Sequence, residues 1–303
     1  IGALLIGAVL IGFTWFSKPD PTQSPAPSPQ DTTQLVTQAP APVAGATVAD
    51  SASLDSLGAP VLPPYLQPAQ ERIVELKNEK LSVKLSTKGG APVEAVLADY
   101  LDQSKKPVHL FRKGDARLDL PLRTLENRLV STADANFSVV ESTDSTAVLR
   151  MQIDDVAYLD YAYKLRPADY RVDLVIRGHE LRRFLPVNIA LQDIEWTQRI
   201  PQQEQSWKFE GQYSGVYYHF PQGDVDRLET TSESSEDVQE TLRWVAFKDK
   251  YFSSALIASA TGFKDNKLSI KAAKEGSGYV RDCSFKGTFP ISIKETETVL
   301  PFT

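Results

Sequence analysis

Trp244-Val245-Ala246-Phe247-Lys248-Asp249-Lys250-Tyr251-Phe252-Ser253-Ser254-Ala255-Leu256-Ile257-Ala258 is the longest strongly apolar run in the second half of the chain. In extended backbone, Trp244, Ala246 and Lys248 project from one face and Val245 and Phe247 from the other, because successive side chains alternate. The run is rich in aromatic and β-branched residues, which favour strands. Its charged interruption is Lys248-Asp249-Lys250. The stretch therefore predicts two buried strands joined at that triplet, with Trp244, Tyr251 and Phe252 in the core. A helix is the competing reading, since Trp244, Phe247, Tyr251 and Ala255 also stand near helical spacing.

The same period of two recurs on either side. Leu81, Val83 and Leu85 alternate with Ser82, Lys84 and Ser86; Lys88-Gly89-Gly90 then offers a turn or bulge, and Val93 to Leu97 runs on. Ala147, Leu149, Met151 and Ile153 alternate with Val148, Arg150 and Gln152; Ala157, Leu159, Tyr161, Tyr163 and Leu165 share one face; and Tyr170, Val172, Leu174 and Ile176 alternate with Arg171, Asp173 and Arg177. Asp154-Asp155 and Pro167-Ala168-Asp169 separate the three, which predicts an antiparallel meander. Val187, Ile189 and Leu191 predict a further strand leading to Trp196. Leu268 with Ile270, and Ile291 with Ile293, keep the strand period, and Cys283 falls in the strand-like run 279–289. The fold class expected for residues 71–303 is all-β and antiparallel, a large two-sheet sandwich.

Residues 1–16 carry no charge and end on Trp15-Phe16, an aromatic pair suited to a membrane interface. They are read as an uncleaved transmembrane anchor that starts upstream of Ile1, since a span needs about 20 apolar residues. Residues 17–70 hold 11 of the 20 prolines, with Ala, Thr, Ser and Gln filling most of the rest. Such a segment buries too little apolar surface to offset the entropy of ordering, so it is read as a disordered linker. The domain then occupies 71–303 and, ending just after a strand-like run, is expected to continue past Thr303.

The formal net charge of −6 argues against a nucleic-acid partner. Most of that excess lies in 222–240, where seven acids face Arg227, and this stretch is read as a solvated excursion or mobile loop. Catalytic constellations are scarce. His109, His179 and His219 are far apart, and His179-Glu180-Leu181-Arg182-Arg183 has an arginine where a zinc-binding helix would carry its second histidine. The single cysteine, Cys283, cannot form an internal disulfide and is read as a buried apolar residue. No catalytic, cofactor or metal site is expected, and the chain is read as a non-enzyme. The distinctive surface candidate is the glycine-interrupted aromatic segment of Trp207, Phe209, Tyr213, Tyr217, Tyr218 and Phe220. It is either a satellite core under a long loop or a partner-binding surface.

Two motifs in order, Leu81 to Tyr100 and Trp244-Val245-Ala246 … Asp249-Lys250-Tyr251-Phe252, follow one membrane segment. In this the chain resembles the large extracytoplasmic domain of YidC-type membrane protein insertases. The resemblance implies a β super-sandwich with a short helix near the domain's end, in a protein of the bacterial inner membrane with residues from about 17 onward in the periplasm. It also implies an insertase and chaperone function, exercised alone or with the Sec translocon, and an insertase core of further transmembrane helices after this domain. Implied partners are the Sec translocon with its accessory subunits, nascent membrane proteins, and the lipid bilayer through residues 1–16; no cofactor is implied. The alternatives are a carbohydrate-binding or mutarotase-like sandwich, which would need a histidine and a carboxylate converging in a cleft, and an anchored β scaffold.

Overall fold

Alternation at period two becomes strand after strand in a computed structural model that describes residues 62–228 and 232–303. The anchor read at 1–16 and most of the linker lie outside the described residues. Within 62–70, a short 3₁₀ turn at Pro64–Leu66 buries Tyr65, which meets Phe184 edge-on at 5.8 Å.

Strands β1 (Ile73–Lys77), β2 (Leu81–Ser86), β3 (Pro92–Leu101) and β4 (Pro107–Phe111) pair antiparallel in that order. Gly89 and Gly90 join β2 to β3 at φ of +83° and +67°, a left-handed backbone that glycine alone adopts freely. After β5 (Ala116–Asp119) comes a small hairpin, β6 (Pro121–Arg123) with β7 (Leu129–Ser131). The meander follows as β8 (Ser138–Ser142), β9 (Thr146–Gln152), β10 (Tyr158–Leu165) and β11 (Val172–His179).

Next come β12 (Leu191–Pro201), helix α1 (Trp207–Gly211), β13 (Gly215–His219), β14 (Val225–Arg227), β15 (Glu233–Val238), β16 (Trp244–Lys248) and β17 (Ser253–Ile257). The chain closes with β18 (Lys264–Ala272), β19 (Tyr279–Pro290) and β20 (Glu297–Phe302). Three further sheets result, ordered β20-β11-β10-β9-β8, β15-β18-β19-β12-β5 and β14-β13-β16-β17. The expected all-β antiparallel sandwich is what forms.

The opening stretch folds as a hairpin, with Val245 opposite Leu256 and Phe247 opposite Ser254. Val245 and Phe247 are fully buried, and Phe247 stacks on Trp196 of β12 with ring centroids 3.8 Å apart. Strand β20 fastens this sheet to the meander. It pairs with β11 on one side, while on the other Ile257 N–H donates to Thr303 O at 2.8 Å and Thr303 N–H donates back at 3.1 Å.

Several expectations need correction. Tyr251 is 62% exposed, and Trp244 and Phe252 are only half-buried. The turn between the strands explains this: Asp249 N–H donates to Phe252 O at 2.8 Å, leaving Tyr251 at the tip, where neither strand can cover it. The acidic stretch 222–240 is not one loop, since β14 and β15 lie within it. Lys271 opposite Glu233 and Lys267 opposite Asp237 supply the cross-strand charges that let so polar a segment pair. Val187 lies before β12 and is 54% exposed, and Ile291 and Ile293 follow β19 rather than extend it. The α-helix among the described residues is α1.

Candidate docking cleft

The aromatic segment 207–220 is divided by its own backbone. Ser206 caps α1, its Oγ accepting from Phe209 N–H at 3.2 Å, and one turn of helix sends Trp207 and Phe209 in different directions. Trp207 is half-buried and donates its indole N–H to Tyr279 O at 2.8 Å. Phe209 and Tyr213 are 45% and 46% exposed and meet edge-on at 5.2 Å. On β13, alternation buries Tyr218 at 1% exposure, where its hydroxyl donates to Glu236 at 3.1 Å. Tyr217 lies on the opposite face, accepting from Arg227 Nη1 at 3.2 Å, and Phe220 packs half-buried on the core. Of the six aromatics, then, Phe209 and Tyr213 are open to a partner, and Tyr218 is core.

The hairpin tip extends that exposed pair. Lys250 Nζ lies 4.5 Å from the Phe209 ring centre and 4.4 Å from that of Tyr251, and 3.6 Å from Glu204 Oε1. A cation between two aromatic faces joins them into one surface. Phe252 then meets Tyr100 of β3 edge-on at 5.0 Å. Tyr213, Phe209, Lys250, Tyr251, Phe252 and Tyr100 thus form a continuous rim. Four of its members, Tyr100, Lys250, Tyr251 and Phe252, were not among the sequence-derived candidates. The signal for Tyr251 was its place beside a charged triplet, where a tight turn leaves a side chain outside.

The rim borders an open cleft of about 950 Å³ between β3–β4, the ends of β10 and β11, and β17. Leu97, Phe111, Leu118, Val172 and Leu256 are among its apolar walls, and Leu101, 62% exposed, stands at its mouth. The outward edge of β17 also faces it. Ser253 and Ala255 are exposed, and among the described residues no strand pairs with that edge between them. Asp102 and Glu204 reach the cleft, but no histidine lines it.

The three histidines stay apart. His109 is partly buried, and burial lowers its pKa. His219 stacks on Trp244 at 5.3 Å, and His179 Nδ1 lies 2.5 Å from Glu297 Oε1 at the surface. Glu180 takes a left-handed φ of +50° before a 3₁₀ turn at Leu181–Arg183, so the near-motif there is not helical. No cluster of three or more metal-binding side chains occurs among the described residues. Cys283 is buried on β19, and burial pushes its thiol pKa well up.

Residues 73–300 match the family described as the YidC periplasmic domain. A membrane protein insertase YidC of Porphyromonas gingivalis is 41% identical over 97% of this chain and 48% of its own length. Its counterpart in Bacteroides fragilis is 32% identical over 93% of the chain and 46% of its own length. That of Chlorobium limicola is 25% identical over 98% and 51%. The chain thus spans about half the length of these curated relatives. Among solved structures, a galactose mutarotase-like protein from Lactobacillus casei covers 77% of this chain and 99% of its own at 10% identity and a TM-score of 0.47, a likeness that assigns no activity.

Proposed function

We propose a role that proceeds from one premise: this chain belongs to the YidC periplasmic domain family. It serves as the periplasmic part of a membrane protein insertase in the bacterial inner membrane, tethered through residues 1–16 and the linker 17–70. Its partners are nascent membrane proteins, and the Sec translocon with its accessory subunits. Its own contribution is non-enzymatic: the cleft receives an apolar segment of a nascent membrane protein, and the aromatic rim makes first contact.

The observation that supports this is the open apolar cleft lined by Tyr100, Tyr251 and Phe252, with Phe209 and Tyr213 exposed further along the rim. Aromatic side chains give large contact area for little conformational entropy, and they remain compatible with water until covered. The outer edge of β17 from Ser253 to Ala255, which no strand pairs among the described residues, adds backbone donors and acceptors that an extended peptide can satisfy.

The test is a photo-crosslinking amino acid in place of Tyr251 in the full-length protein, with nascent chains of an inner-membrane protein stalled at successive lengths. Crosslinks should appear only when an apolar segment has emerged. Crosslinks to a Sec accessory subunit alone would move the site from substrate to translocon docking, and crosslinks to neither would refute the cleft as a docking site.

A further inference from the structure

Beneath the rim, two carboxyl groups meet out of water. Glu210 of α1 is fully buried and Asp249, at the base of the β16–β17 turn, is 7% exposed. The two residues meet at Ser214, whose Oγ donates to Glu210 O at 3.0 Å and reaches Asp249 Oδ1 at 3.5 Å, and two buried carboxyls so placed are not both charged without strong repulsion. Glu210 also accepts from the backbone N–H groups of Gln203 at 2.9 Å and Glu204 at 3.1 Å. That 3.5 Å bond to Asp249 Oδ1 is long, and Asp249 Oδ2 is buried with no donor.

The pair is the junction of the three segments that carry most of the rim. Helix α1 and its exit present Phe209 and Tyr213, and the hairpin turn presents Lys250, Tyr251 and Phe252. The loop 202–206 brings Glu204 to Lys250. That loop is itself tied to the cleft wall, because Gln203 Nε2 donates to His109 O at 2.8 Å and Gln103 N–H donates to Gln203 O at 3.0 Å.

We infer that the Glu210–Asp249 pair is a proton-dependent latch on the docking rim, closed while the two carboxyls share a proton and loosened when both are charged. This rests on the docking reading for its purpose but not for its existence.

The surrounding charges do not neutralise a doubly ionised pair. Lys248 favours ionisation of Asp249, yet its Nζ bonds the carbonyls of Asp249 and Lys250, each at 3.1 Å. Lys250 turns outward to Glu204. On β19, the buried Arg281 donates to Gly211 O at 2.6 Å, and Cys283 beside it stays a neutral thiol. His109, on β4, faces this region with its backbone carbonyl and is held towards neutrality by burial. Burial first, and the neighbouring Asp249 carboxyl second, push Glu210 up to about 8; burial likewise raises Asp249. The latch therefore opens as pH rises towards and through that value. Adjacent buried carboxyls cannot both ionise without repulsion in a medium that screens poorly.

Carbon-13 NMR of the carboxyl groups, and hydrogen exchange of peptides 202–214 and 248–254, in the 303-residue chain decide the matter. One of the two carboxyls should titrate above pH 6.5. Protection in both peptides, corrected for intrinsic exchange, should fall about tenfold or more between pH 6.5 and pH 9. Asp249→Asn, which can donate to Glu210 permanently, should hold protection within about twofold over that range. Both carboxyls ionising below pH 5, or equal losses of protection in the parent and Asp249→Asn, would overturn the latch. If the Asn variant does not fold, the parent's carboxyl titration decides alone. Exchange that follows the pair while the Tyr251 position crosslinks to nothing at pH 6.5 would retain the latch and remove the docking reading.

Discussion

Tyr161 and Tyr163 on β10 and Tyr213 and Tyr251 on the rim are the same side chain in opposite circumstances. The first two are 1% and 3% exposed, the last two 46% and 62%. Around β10 a second layer is present: Phe137 tilts against Tyr161 at 5.0 Å, and Tyr163 donates its hydroxyl to Gly90 O at 2.8 Å. Around the rim nothing in the described chain provides that layer. An apolar period shows which face of a strand is alike; only the neighbouring sheet decides whether that face is covered. Where it is covered, the tyrosine contributes core; where it is not, the tyrosine is available for a partner.

The largest effect should come from the faces on which the two regions agree. Leu149 of β9 and Phe247 of β16 are both fully buried. Phe247→Ala should lower stability by about 3–5 kcal/mol and Leu149→Ala by about 2–5 kcal/mol in denaturant melts. A loss below about 1 kcal/mol at Phe247 would place the hairpin outside the cooperative core.

Gly90 sharpens the contrast from the meander's side. A Cβ there would approach Phe137 Cε1 to 2.7 Å, at a positive φ, and Phe137 packs on Tyr161. Gly90→Ala should cost about 1–3 kcal/mol. Gly223 also has a positive φ, +105°, but has nothing within 4 Å, so its alanine variant should show the backbone cost alone and lose less.

A third effect is a slope. Glu210 has a folded pKa raised to about 8, above the ordinary value of 4.5. Its contribution to stability is fully present below pH 4.5 and is lost as pH rises through 8, because the unfolded chain ionises first. Melts of the parent chain should therefore show stability falling by about 1 kcal/mol per pH unit within that window, a slope flattened by Glu210→Gln.

These contrasts also mark what could be read from the residues. The meander was legible because alternation and turn residues coincide: Asp154 accepts from Val156 and Ala157 N–H at 2.7 Å each, closing the turn that the paired aspartates announce. Trp244 to Ile257 was legible as two strands, with Val245 and Phe247 sharing a face. Helix α1 was not, because five residues are too few to show a helical period, and Ser206 was its main local signal. Strand β15 was hidden because Glu233, Glu236 and Asp237 look like solvated loop until the lysines of β18 are placed opposite. Part of the rim was hidden for a topological reason: Tyr100 and Phe252 are 152 positions apart in sequence and meet only when β3 and the hairpin border one cleft.

The smallest thermodynamic effect belongs to the residue most exposed on the rim. Tyr251 sits at a turn tip at 62% exposure, touching Lys250 and, at 6.4 Å between centroids, Phe252. Removing its ring uncovers little that water does not already reach, so Tyr251→Ser should change stability by no more than about 1 kcal/mol. The cation–ring contact with Lys250, whose side chain is 15% exposed, supplies most of that, about 0.5–1 kcal/mol. Binding should respond differently. A large aromatic near the centre of a contact commonly carries about 2 kcal/mol or more of binding energy, a loss of some thirtyfold in affinity. The comparison breaks if Tyr251→Ser unfolds the domain, which would make the hairpin tip part of the core like Tyr161. It is also lost if the variant folds and captures nascent apolar segments at undiminished yield, which would leave the exposed rim without a docking role. Undisturbed melting together with diminished capture would separate the two tyrosine environments as the fold suggests: β10 holding the sandwich together, the hairpin tip facing outward to a partner.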